Sequence, residues 1–457
     1  MTNQLTDSFA AFFESSLKQP APDWYHLAKN AAWEEFQKNG LPSRKDPDWI
    51  YTSLKFLQKN KVFKRSLAND GHLDLSEAQT DRIRKQCKSD AINLVLINGR
   101  FIPELSDHLK LSGDQGFYCD SIAKTLGQNP QRLSKIISEM HLVAKDNGLT
   151  SLNEALGTDG FVLSVDEDKA LHSPVHVLNF YESEAKDSVQ PSYPRFYIHL
   201  QKHSSLRLYE EHFLLSPDAD THEIFNNAVC EVILQEGAKL RYRQILTAPG
   251  SSSVQILHTR VLQSAHSHFD SFSVCSGGQL VRHSQQIWQR EPEAYSRLNG
   301  LFLGHDSRQC EQLTEVNHGA PYGQSEQLFK GVLPGDSTGV FLGTVRVAKD
   351  AQKVQAKQLS KSLLCSLSAK AHSRPQLEID ADDVKCSHGS TVSQLRDEEL
   401  FYCQSRGIKA SDARALLSLA FAEDVLLQCQ DALLDDLVKP LMASFRGTVT
   451  QMRKTQS

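Results

Sequence analysis

Six side chains able to bind a metal or move a proton fall between Glu378 and His388: the carboxylates Glu378, Asp380, Asp382 and Asp383, the Cys386 thiol and the His388 imidazole. Leu377 and Ile379 alternate with Glu378 and Asp380, the pattern of a strand with one buried face. Cys386 and His388 are two apart, so an extended strand projects both from one side. Thiolate and imidazole suit iron, zinc or copper(I), and carboxylates can complete such a site. Two soft ligands are half of a tetrahedral set, so a partner would have to supply the remainder. The commoner reading of such a pair is a buried thiol beside a hydrogen-bonded histidine. A catalytic Cys–His pair fits less well, because neighbours on one strand rarely form the nucleophile–base hydrogen bond and no third orienting residue stands out.

Other candidates carry less. His266 and His268 form a second same-face pair, and His318 lies in the turn-like run Asn317–Pro321. With no thiol or carboxylate close in sequence, these read as structural or surface histidines. The run Gly331–Gly343 holds several glycines but no GxxxxGK[ST], so it reads as turns between strands and not as a phosphate loop. Nine cysteines (Cys87, Cys119, Cys230, Cys275, Cys310, Cys365, Cys386, Cys403, Cys429) are scattered without a CxxC, so no autonomous zinc or iron–sulfur motif is present. Cys230, in the run AVCEVIL, reads as core.

The elements that must position these residues change texture along the chain. The first 150 or so residues read as helices and loops: Asp23 is placed to cap a helix with an apolar face of Leu27, Ala31 and Phe36, and Gly40 follows its end. A strand is expected over Ala91–Ile97 with a turn at Gly99, and a helix around Arg132–Val143. From Phe161 to Ile379 short β-prone runs recur, separated by Glu236-Gly237, Pro249-Gly250, Gly277-Gly278 and Pro334-Gly335. Almost no helix-length segment lies between them, which excludes alternating β/α units and leaves a sandwich, a barrel or a parallel β-helix. After Ser390 helices return. Acidic Asp397–Glu399 suit a helix start, Gly407 a helix end and Ser411 the next cap. Leu416, Ala420, Phe421 and Leu427, then Leu433, Leu434, Leu437, Leu441 and Phe445, form an apolar face, and Pro440 should kink or restart its helix.

Composition bounds the function. The 457 residues suggest two or three structural units, and the 40% hydrophobic and 23% charged shares are those of a globular protein. A net charge of −5 gives no general reason to expect nucleic-acid binding. No stretch approaches the roughly 18 apolar residues of a membrane span, and the first residues lack signal-peptide character, so a cytoplasmic protein is expected.

Three segments resemble one family. PQLEIDADDVKCSHGSTVSQLRDEELFYCQSRGI, from Pro375, resembles the C-terminal signature of the SufB/SufD family of iron–sulfur cluster assembly scaffolds. GVFLGTVRVAKDAQKVQAKQLSKSLLCS, from Gly339, resembles the segment preceding it, and GLPSRKDPDWIYTSL, from Gly40, resembles the leader of the SufD branch. The cysteine-rich segment of the SufB branch is not found. The resemblance implies a mostly β protein: a helical N-terminal domain (1–150), a right-handed parallel β-helix (151–389) and a C-terminal helical domain (390–457). It implies a scaffold without catalysis of its own, joined to SufB through the β-helix and to the SufC ATPase through the C-terminal helices. A transient iron–sulfur cluster would form at the SufB interface, with His388 of the CSHG motif as a ligand and Cys386 in the same motif. Glu399, Phe401, Tyr402, Arg406 and Phe421 are the candidate SufC contacts. Asp380 stands where the family commonly has an aromatic residue, and Arg374 where lysine is common. Two competing readings are a parallel β-helix polysaccharide enzyme of the secreted type and a homodimeric metal-binding or iron-donor protein working without SufB.

Overall fold

The computed structural model describes residues 3–55, 62–63, 75–112, 116–182, 188–216, 223–248 and 250–451. Its strands are β1 (Val62–Phe63), β2 (Ile92–Ile97), β3 (Arg100–Phe101), β4 (Phe117–Ser121), β5 (Gly160–Val165), β6 (Val175–Tyr181), β7 (Ser188–Ser192), β8 (Arg195–Leu200), β9 (Ser205–Leu214), β10 (Glu223–Leu234) and β11 (Lys239–Ala248). They continue as β12 (Val254–Gln263), β13 (His268–Gly277), β14 (Leu280–Gln289), β15 (Tyr295–Leu303), β16 (Gln309–His318), β17 (Gln324–Leu333), β18 (Thr338–Val347), β19 (Gln355–Leu364), β20 (Lys370–Ile379) and β21 (Lys385–Gln394). From β8 onward the chain visits two sheets in alternation. One runs β20-β18-β16-β14-β12-β10-β8-β5-β4, the other β21-β19-β17-β15-β13-β11-β9-β6-β2-β3. Pairing along both is parallel except at β4–β5 and β2–β3. This is the parallel β-solenoid that strand periodicity alone left open.

Register explains why no repeat is legible. Phe225 lies beside Val254, then Leu280, Gln309, Thr338 and Lys370, and the intervals between these positions are unequal. The repeat is kept in the backbone at one corner of each turn. Asp168, His203, Gly237, His266, Glu293, Tyr322 and Lys353 all have φ between 56° and 68°. Each donates its N–H to a carbonyl of the next corner: His203 to Glu236 at 2.8 Å, Gly237 to Ala265 at 2.9 Å, Tyr322 to Gln352 at 2.9 Å. Left-handed geometry is disfavoured for side chains other than glycine, so this stack is imposed by the fold.

Helices cover the outer faces. α1 (Asn3–Leu17), α2 (Asp23–Asn39) and α7 (Gly148–Leu156) pack with Phe225, Val254, Ile256 and Leu280 on the first sheet. α3 (Glu77–Gln86) and α4 (His108–Ser112) lie near β2. α5 (Ile122–Gln128) and α6 (Pro130–His141) meet Val162, Tyr197 and Ile233. α8 (Asp397–Ser405) leads to α9 (Ala410–Leu427) and α10 (Ala432–Gln451), which cover Tyr209, Phe272, Leu301 and Val332 of the second sheet.

Several local expectations are corrected. Asp23 is the first helical residue and Pro22 the cap, and the buried face of α2 is Tyr25, Lys29, Ala32, Trp33 and Phe36, with Leu27 and Ala31 exposed. Lys29 enters this face because its ammonium donates to the carbonyls of Ala155 and Gly157 at 2.9 and 2.5 Å. On α9 small residues, Ala413, Ala415, Ser418 and Ala422, approach the sheet, leaving Leu416, Ala420 and Leu427 outside. Lys409, not Ser411, caps that helix, whereas Gly407 closes α8 with φ 82°. The α10 face of Leu434, Leu437 and Phe445 is buried, and the helix continues through Pro440. His266 sits in a corner turn and His268 on a strand, so they do not share a face. Of the expected turn pair Pro249-Gly250, Pro249 lies outside the described residues.

Candidate functional site

The solenoid closes at its β2 and β4 end and stays open at the other. β20 and β21 each have a neighbour on one side only, and their ten residues apiece form the last turn. Lys370 donates to Ser337 O at 2.9 Å and Asp380 to Val347 O at 3.0 Å, so the even-numbered amides of β20 point across the ladder to β18. Odd-numbered amides of that strand therefore point out of the sheet edge, and Pro375, which has no amide, stands at one of them. By the same alternation, the Lys385 bond to Val354 O at 2.8 Å leaves the amides of Cys386, His388, Ser390 and Val392 on the free edge of β21.

Side chains at this end are exposed on the face that is interior everywhere else. Cys386 pairs in register with Ala356 and His388 with Gln358, both buried within the preceding turn. Ladder neighbours point the same way, so the thiol and imidazole share the solenoid's inner face, as a strand with a spacing of two requires. Ile379 and Val392 are exposed here at 38% and 48% because no described strand lies above them. Cys386 packs against the small cluster of Val345, Ala356 and Ala381. Partial burial pushes its thiol up, against a smaller downward pull from the Ala356 backbone. A metal could displace that proton, since ligation is by thiolate.

The carboxylates divide. Arg346 binds Glu378 at 2.7 Å, and Lys353 pairs with Asp383. Asp380 and Asp382 are exposed and form no ion pair among the described residues. Below His388 a line of hydrogen bonds runs through the interior: Ser273 to Gln312 at 3.1 Å, Ser271 to Gln285 at 2.8 Å and Thr314 to Gln327 at 2.7 Å between the two sheets, and Gln358 to Gln327 at 3.2 Å along the second sheet. Apolar runs gave no hint of it, although Gln and Thr recurring on inward positions were the available signal. The open end thus offers two soft ligands, two spare carboxylates, a polar floor and two unpaired strand edges.

The C-terminal candidates are not all brought together. Phe401 and Tyr402 are exposed at 71% and 61% on α8, with the Arg406 guanidinium 5.4 Å from the Tyr402 ring centre. Glu399 accepts from Arg396 Nε at 3.0 Å. Phe421 turns inward instead, under the Lys330 ammonium at 4.4 Å. That ammonium also bonds Asp424 at 2.5 Å and Phe421 O at 3.0 Å, tying α9 to β17.

The other histidine candidates pair with polar neighbours, and the core cysteines are buried. His318 Nε2 meets Ser325 Oγ at 2.9 Å, and His266 meets Glu293 at 3.4 Å. Cys119, Cys230, Cys275 and Cys310 are buried in the solenoid core, and burial pushes the Cys310 thiol up to about 12. His141, Asp146 and Glu154 bring one ligand atom each within 4.8 Å of one another. Arg260 already binds Asp146 at 2.6 Å and Arg195 approaches Glu154 at 3.6 Å, so the cluster is an ion-pair network that guanidinium charge closes to a cation.

The fold is a parallel β-solenoid that ends in two unpaired strand edges beside Cys386 and His388. Residues 181–421 match the SufBD core domain of the SUF system for FeS cluster assembly, and residues 1–177 match the SufBD protein N-terminal region. The chain belongs to the SufBD family of iron–sulfur cluster assembly proteins. It is 30% identical to a SufBD family protein of Synechocystis over 85% of this chain and 84% of that one. It is 28% identical to the iron–sulfur cluster assembly protein SufD of Escherichia coli, over 87% and 88% of the two chains. Similarity to SufD of Bacillus subtilis is 21% over 90% and 91%. No helix among the described residues is long and apolar enough to cross a membrane.

Proposed function

We propose that this chain is the SufD-type subunit of an iron–sulfur cluster assembly complex, acting without catalysis of its own. Its open solenoid end pairs with SufB, and a nascent cluster forms at that junction with His388 as one ligand and Cys386 as a second. The observation that carries this reading is the pair of unpaired ten-residue edges beside the inward-facing His388. A free strand edge is a template for another chain, and natural proteins normally blunt or cover it. A cluster held by ligands from two chains is released when they part, which suits cargo destined for other proteins. The exposed Phe401–Tyr402–Arg406 surface of α8, with Glu399, is the proposed seat of the SufC ATPase, while Phe421 faces Lys330 of the solenoid.

Co-expression with SufB and SufC tests the pairing. Ser390→Pro removes an amide from the free edge of β21 while leaving its ladder to β19. The expected result is a folded chain that no longer retains SufB on co-purification but still retains SufC. Undiminished recovery of SufB would move the contact off this edge. Retention of a second copy of the same chain in place of SufB would favour the stand-alone homodimer.

A further inference from the structure

We infer that the outer face of the second sheet carries a binding cleft for a phosphate-bearing small molecule. Beside the row of residues covered by α9 and α10, the next ladder row runs Arg207, Arg241, Asp270, Arg297, and the row beyond it carries Lys239, His268 and Tyr295. Together they line an open cleft of about 540 Å³, within the range of small-molecule sites.

Charge in this cleft is in excess and held in place. Asp270 is the carboxylate among the lining residues, and Arg243 beneath it binds both its oxygens at 3.0 and 3.1 Å. Arg297 binds the same carboxylate at 2.5 Å and Arg241 lies at 3.8 Å, so three guanidinium groups converge on Asp270. Arg243 is wholly buried and is fixed again by Asp431 at 3.2 Å, which anchors Asp270 and through it the exposed arginines. Arg207 and Lys239 form no ion pair among the described residues, and Arg207 is oriented by His172 O at 2.5 Å. This local positive excess stands on a chain of net charge −5, so it is a focused feature and not a general basicity. Forked guanidinium donors match phosphate oxygens bidentately. The His268 and Tyr295 rings, 5.5 Å apart between centres, wall the cleft with surfaces on which a planar base can rest. Burial, and to a lesser extent Lys239, holds the His268 imidazole below its ordinary range.

The full chain titrated calorimetrically with pyrophosphate, ADP and adenosine at low ionic strength tests the cleft. Saturable binding of pyrophosphate or ADP is expected, weakened at least tenfold in the Arg207→Gln, Lys239→Gln double variant. Both side chains are exposed, so the variant should melt as the parent does. Bound pyrophosphate should also move the His268 imidazole titration to higher pH by NMR. ADP binding tighter than pyrophosphate, with the difference lost in His268→Ala, identifies a nucleotide site, and equal affinities identify recognition of phosphate alone. No saturable binding at millimolar pyrophosphate or ADP, or binding that the double variant leaves unchanged, overturns the inference.

Discussion

Arg282 joins the leader segment to the solenoid. Its guanidinium lies 3.8 Å from the Trp49 ring centre, donates to Asp48 O at 2.8 Å and pairs with fully buried Glu311, which Thr52 also reaches. Nearby, Tyr51 stacks on His372 at 4.2 Å and Arg374 donates to Pro47 O at 3.2 Å. The motif at Gly40–Leu54 is therefore a clasp across β14, β16 and β20. Arg282→Ala strands a buried carboxylate, a loss of about 3–5 kcal/mol. Thermal or urea unfolding should show that loss, and Glu311→Gln added to it should restore part of the deficit. The motif was legible as a pattern, but its role was not, because the residues it grips lie more than two hundred positions away. Cys386 and His388 were legible in both type and side, since a spacing of two is enough to place them on one face. Asp380 and Asp382 look alike with Glu378 and Asp383 in sequence, and only the ladder distinguishes the pair already bound by Arg346 and Lys353.

At the scale of elements, the corner stack makes the sharpest prediction. Tyr322 has φ 61° and is 54% exposed, so Tyr322→Gly relieves left-handed strain while removing little packing. A gain of about 0.5–1 kcal/mol is expected in denaturant unfolding, where the slope should be unchanged. Gly237 has φ 68°, and a Cβ there would stand 2.3 Å from His203 Nδ1, so Gly237→Ala should lose roughly 1–2 kcal/mol. Strands such as β10, buried along nearly its whole length, were legible as apolar runs. β14, with inward His283 and Gln285, and β16, with inward Gln312 and Thr314, were not, because the polar line through the core interrupts the expected alternation. The α9 face was misread for a related reason: the helix approaches the sheet through Ala413, Ala415, Ser418 and Ala422, with Leu416 and Leu427 turned outward and Leu426 buried.

Across the whole molecule, ion pairs fasten both helical regions to the solenoid, and their pH dependence is set by opposite shifts. Burial would raise the carboxyls of Glu154, Asp146 and Asp270, but Arg195, Arg260 and Arg243 outweigh it and hold all three below their ordinary values. Such groups contribute stability above their unfolded pKa, and it is lost as pH falls through the depressed folded values. The Glu154 hydrogen bond raises His141, whose contribution is complete below its ordinary 6.5 and fades as pH rises past its folded value. Melting temperature should therefore be highest in mildly acidic solution, dropping steeply below about pH 4 and gently above neutrality. Glu154→Gln should blunt both limbs, and a profile unchanged by that substitution would remove the network from the account.

In the proposed function the open end carries the activity, and His388 is where that proposal is most directly testable. The direct measurement is anaerobic cluster reconstitution on the chain co-expressed with SufB and SufC, comparing the parent with His388→Ala. The account predicts an assembled complex whose visible cluster absorption is lost or strongly reduced, because an exposed inward imidazole can be removed without disturbing the fold. An intact complex with an unchanged spectrum would contradict it, placing the cluster outside this chain and leaving the solenoid end a purely structural junction.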